Sequence, residues 1–77
     1  LVSMMLEHKK GVLSEVLNYL SSVNGNIITI NQNIPINEVA SVVISLDISD
    51  ITIPIEDIIS GIEQINYVGS TKLLSLE

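Results

Sequence analysis

The sequence predicts an α+β domain of order βαββαβ, a four-stranded antiparallel sheet with two helices on one face. Three observations predict it. Residues 13–23 and 55–65 repeat apolar side chains at helical spacing. Four other stretches have strand length and are rich in Ile, Val and Leu, most of them in period-two alternation. Turn-forming residues stand at the junctions: His8-Lys9-Lys10-Gly11, Asn24-Gly25 and Pro35-Ile36-Asn37-Glu38.

The first strand is expected over residues 1–7, where Val2, Met4 and Leu6 alternate with Ser3, Met5 and Glu7. His8 to Gly11 reads as a loop, Gly11 relieving the steric limits where the chain turns into a helix. That helix is expected over residues 12–23, with Leu13, Val16, Leu17, Leu20 and Val23 on one stripe and Glu15, Asn18 and Ser22 turned away. Asn24-Gly25 is its stop, since Asn and Gly tolerate the left-handed conformation.

Strand two is expected over residues 27–34, with Ile28, Ile30, Gln32 and Ile34 on one face and Ile27, Thr29, Asn31 and Asn33 on the other. Pro35 lacks a donor, which places this strand at a sheet edge or ends it. The turn after it makes a hairpin with strand three, residues 39–48, with Ala40, Val42, Ile44, Leu46 and Ile48 inward. Pro54 suits the first turn of helix two, where Glu56 and Asp57 favour the helix dipole. Ile55, Ile58, Ile59, Ile62 and Ile65 form its stripe, and Asn66 ends it. Gly61 inside this helix costs about 1 kcal/mol against Ala, and close packing on the sheet is the expected reason for it. Strand four is expected over residues 68–76. The adjacent Leu73 and Leu74 break its alternation, which a bulge or an edge position explains. The assembled pattern is ferredoxin-like, its open face carrying Ser3, Met5, Thr29, Asn31, Ser41, Val43, Ser45 and Lys72.

At 77 residues the chain is one small domain, short enough that folding gains from a partner. It starts at Leu1 inside an alternating stretch, so it reads as a fragment of a longer chain. Net charge is −6, the only cationic side chains being Lys9, Lys10 and Lys72 apart from the single His8. That balance excludes a nucleic-acid footprint and a polybasic membrane-surface role. With no cysteine, disulfides, thiolate metal sites and thiol nucleophiles are absent. No apolar run approaches membrane-spanning length and no signal peptide is visible, so a cytoplasmic domain is expected.

This architecture hosts many functions, so function has to come from sites. A metal-chaperone reading needs a Cys pair in the first loop, RNA recognition needs aromatics and basic charge on the open face, and an acylphosphatase reading needs an Arg; none is present. His8 has no second His or Cys to share a metal and no adjacent nucleophile, so neither a metal site, a catalytic residue nor a cofactor is expected. An enzyme such as a chorismate mutase would need cationic groups converging on a dicarboxylate, a poor match to three Lys without Arg.

What remains is the start of the first helix. Unsatisfied N–H groups and the dipole there favour an anion such as an amino-acid carboxylate, with Lys9 and Lys10 adding charge beside it. Asn26 or strand-two carbonyls offer acceptors for an ammonium. The bland alternatives are a solvated His8, lysines that keep an acidic domain soluble, and an Asn26 that serves only its turn.

Gly11-Val12-Leu13-Ser14-Glu15-Val16-Leu17, followed by Gly25-Asn26-Ile27, resembles the ACT domain over essentially the whole chain. Residues 28–35 and 40–45 are similar to the small bacterial ACT proteins of the PheB type, associated by name with phenylalanine biosynthesis. The resemblance implies a regulatory, allosteric module that binds an amino acid between the first strand–helix loop and strand two or its symmetry mate. Its ligand-binding residues would be His8, Lys9, Lys10, Gly11, Val12, Asn26 and Ile27, His8 and Asn26 contributing side chains. His8 stands where the family usually has an acid or Asn, and Lys10 where it has Pro. A homodimer through strand two is expected, because two such edges would build one continuous sheet. The other reading is a dimerisation module without a ligand.

Overall fold

The computed structural model describes residues 1–9, 11–33 and 39–76, with side chains to Ser75 in the last strand. Lys10, the turn at Pro35 to Glu38 and the expected end of strand two at Ile34 lie outside the described residues. The elements are β1 (Val2–Lys9), α1 (Leu13–Ser22), β2 (Asn26–Gln32), β3 (Val39–Asp47), α2 (Ile55–Glu63) and β4 (Val68–Leu76), the expected βαββαβ order. The strands form one antiparallel sheet in the order β2-β3-β1-β4, so β2 and β4 are the edges.

Alternation determines the register. Val2, Met4 and Leu6 of β1 lie opposite Leu46, Ile44 and Val42 of β3, and all six are buried on the side covered by the helices. Val16 and Leu20 of α1, with Ile58 and Ile62 of α2, complete that core. Burying such apolar side chains contributes about 1.5–3 kcal/mol each, which is how a chain this short folds. On the uncovered face the Ser3 and Ser45 hydroxyls meet at 3.2 Å. Lys72 pairs with Met5 and so lies on that open face, as expected.

Three details depart from the sequence reading. First, β1 does not stop at Glu7 but continues through Lys9, with His8 opposite Ala40 and Lys9 opposite Val39. Second, β2 carries an irregularity at Ile28: Ile27 pairs with Leu46 and Thr29 with Ser45. The extra residue reverses the alternation, so Ile27 joins the helix side and packs against the core. Third, the close neighbour of Gly61 is not the sheet. A Cβ there would run into the Tyr19 ring of α1.

The adjacent leucines of β4 are explained by both expected devices. The β4 strand is an edge, and its register with β1 shifts between Ser3 and Met4, leaving Leu74 as the extra residue. Helix α1 stops as read: Asn24 is left-handed at φ 67°, and the Gly25 N–H reaches the Leu20 carbonyl at 2.9 Å. After β3, the Ser49 N–H donates to an Asp47 carboxylate oxygen at 3.0 Å. That bond, made to the ionised form, lowers the Asp47 carboxyl below its ordinary 3.8. Because the folded value is depressed, the contribution to stability is complete above the unfolded value and is lost as pH falls through the folded one. NMR titration is expected to find Asp47 still ionised at pH 3.8, and Ser49→Pro, which removes the donor, to return it towards the ordinary value.

Candidate functional site

The end of β1 splits the sequence-predicted residues between two sides of the sheet. Continuing the alternation, His8 points to the helix side with Leu6, and Lys9 to the open face with Glu7. His8 is only 2% exposed. Its ring Nδ1 lies 2.9 Å from the Lys9 carbonyl oxygen, so Nδ1 carries the proton and donates. The same carbonyl accepts the Val12 N–H at 3.2 Å, so His8 and Val12 together hold the turn into α1. Its Nε2 is buried with no hydrogen-bond partner among the described residues.

An orphaned buried nitrogen is a stability cost, so His8→Leu is expected to raise stability by about 1 kcal/mol, since Val12 still satisfies the Lys9 carbonyl. The urea midpoint measures this. A lower midpoint would mean that Nε2 has a partner in solution.

Gly11 sits in the turn at φ +91°, with open space where a side chain would stand. Val12 is buried and supplies no side-chain cap, and the first turn of α1 carries Glu15. Asn26 and Ile27 lie at the far end of the sheet. They pair with Asp47 and Leu46, whereas His8 pairs with Ala40, six residues back along β3 and roughly 20 Å away at strand rise. One copy of the chain therefore does not bring Asn26 and Ile27 to the Gly11 turn.

Lys9 belongs to a different neighbourhood. Its backbone N–H donates to the Tyr67 carbonyl at 3.0 Å, and its Nζ lies 5.2 Å from the centre of the Tyr67 ring. Tyr67 has φ 70°, an uncommon conformation for a bulky side chain, and is 66% exposed. Between these residues and Glu7, His8, Val39, Val68 and Gly69 lies an open cleft of about 290 Å³. The sequence reading left Tyr67 out of the site. The signal was its place directly after Asn66, where a helix-ending turn hands over to β4. Among the described residues no group of three His, Asp or Glu could share a metal ion.

Known proteins match this chain from end to end. A UPF0735 ACT domain-containing protein of Lacticaseibacillus paracasei is 46% identical over 99% of the chain, and that match covers 53% of the relative. A UPF0735 ACT domain-containing protein of Clostridium novyi is 37% identical over the same share of the chain and of its own length. In three dimensions the crystal structure of the ACT domain from GTP pyrophosphokinase of Chlorobium tepidum superposes with a TM-score of 0.72 over 95% of both chains, at 12% identity. The chain has the fold of an ACT domain.

No protein-family model matches the chain. The chain spans about half the length of the curated relatives it matches. The superposition, at that low identity, supports the fold, and the bacterial relatives support the domain type. No helix among the described residues is long and apolar enough to cross a membrane.

Proposed function

We propose that this ACT domain is a regulatory module that binds a small amino acid where two copies meet and passes occupancy to the rest of a longer chain as a difference in affinity between two arrangements. The resemblance to PheB-type proteins points this proposal toward aromatic amino-acid metabolism. The observation that carries it is the β2 edge. Its outer side has no partner among the described residues, and Ile28 and Ile30 are exposed. Two copies joined there about a two-fold axis would run β2 antiparallel to β2. The first residues of one β2 then stand beside the last residues of the other. Because β1 and β2 are both antiparallel to β3, the last residues of β2 are at the end where the Gly11 turn stands. Asn26 of the partner subunit thereby comes to the uncapped N-terminus of α1, where N–H groups favour a carboxylate and the Asn26 amide oxygen accepts from an ammonium.

Thermal-shift and calorimetric titration with each of the twenty amino acids tests this reading. At least one should raise the melting temperature of the dimer, and none doing so would sink it. Ile30→Lys places two like charges together across the axis and is expected to weaken dimerisation by about tenfold or more, read by sedimentation.

The buried His8 favours a second reading, a dimerisation module without a ligand. A side chain that is 2% exposed and already bonded to Lys9 offers a ligand little. That reading predicts a melting temperature that rises with protein concentration and ignores amino acids.

A further inference from the structure

The cleft on the open face at the β1–β4 corner is lined by groups whose chemistry matches one class of ligand. Glu7 and Lys9 stand on the same face of β1, two residues and about 7 Å apart along the strand. One supplies a carboxylate and the other an ammonium. The Tyr67 ring and Val39 supply an apolar wall between β3 and β4. Gly69 forms the floor beside Glu7; a Cβ there would make only ordinary contact with Glu7, 3.5 Å from its carbonyl oxygen.

Tyr67 is the telling residue. Left-handed backbone is costly for a bulky residue and readily taken by Gly or Asn, yet this position carries a large ring that gains little from burial. The Lys9 N–H bond to the Tyr67 carbonyl ties down the backbone there, and the Lys9 Nζ stands 5.2 Å from the ring centre. Strained positions that survive without a packing benefit cluster at binding sites.

We infer that this corner, formed by Glu7, Lys9, Val39, Tyr67 and Gly69, binds a zwitterionic amino acid with an apolar side chain. Its carboxylate is taken by Lys9, its ammonium by Glu7, and its side chain lies against Tyr67 and Val39. The ligand class is that of the proposed function, on which the inference rests. The location is different: the opposite face of the sheet from the helices, built within a single copy.

Amide chemical shifts distinguish the two. Titration with L-phenylalanine and L-leucine is expected to move Val39, Tyr67 and Gly69. Phenethylamine and phenylpropionate, each lacking one charge, should bind about tenfold more weakly. Lys9→Gln should weaken binding similarly while the domain stays folded. Tyr67→Asn, which suits the left-handed backbone, should leave the melting temperature undiminished and still abolish these shifts. A Tyr67 that serves only packing would lower the melting temperature and leave binding intact, which overturns the inference. Shifts confined to Gly11, Val12 and Asn26 would overturn it too and leave the proposed function standing. Shifts at neither place with any of the twenty amino acids would remove both.

Discussion

Ile44→Ala is expected to remove about half of the stability of the domain. Ile44 is fully buried at the centre of the sheet, with Met4 on one side and Ile30 on the other. Losing its outer carbons from a fully buried site costs about 2–5 kcal/mol, transfer and cavity together. A domain of 77 residues has a total of about 4–11 kcal/mol. Urea unfolding of the variant beside the parent, at one protein concentration, gives the difference. A loss below about 1 kcal/mol would mean that the helices close over the gap, and that the core is looser than its register implies.

The second large effect is a coupling between Gly61 and Tyr19. Replacing a mid-helix glycine with alanine ordinarily stabilises a helix by about 1 kcal/mol. Here the new methyl group would displace the Tyr19 ring, which packs half-buried between α1 and α2. Loss of that packing, about 1.5–3 kcal/mol for a fully buried ring and less for this one, outweighs the propensity gain. Gly61→Ala is therefore expected to destabilise the natural sequence by about 1 kcal/mol. In a Tyr19→Ala background the same substitution meets open space and should stabilise by about 1 kcal/mol. The change of sign, a coupling of about 2 kcal/mol in a double-mutant cycle, is the result that matters. Additive effects would show that Tyr19 swings freely into solvent.

These two predictions show where the sequence was legible. The register around Ile44 follows from a period of two, and strands of Ile and Val between turn residues state it openly. Gly61 could be recognised as anomalous, but its partner could not be named. Helix-to-helix distance is a property of the assembled layer, and a stripe of isoleucines says which face is covered, not which neighbour comes nearest. The site was less legible for a different reason. His8 continues the Val2, Met4, Leu6 alternation, but an imidazole followed by two lysines has the polarity of a loop, and polarity outweighed period. At Ile28 the bulge needs no Gly or Pro to mark it, so the run Ile27-Ile28-Thr29-Ile30 carries no sign that Ile27 changes sides. Tyr67 was missed because its importance lies in a backbone angle, for which a single aromatic residue after Asn66 is a faint sign.

The bulges bear on how far this molecule can assemble. Each β4 edge is interrupted twice, at Leu74 and again opposite Glu7, whereas β2 is regular from Thr29 to Gln32. A protein with two straight edges can add copies head to tail without end, and the product is a fibre. A protein with one edge regular enough to pair, here the Thr29–Gln32 part of β2, exhausts it when it meets its own image. In the proposed dimer the irregular pairing of β4 would act as a stopper: pairing at β2 would give a sheet of eight strands, with an interrupted margin on each side that is a poor template for a third copy.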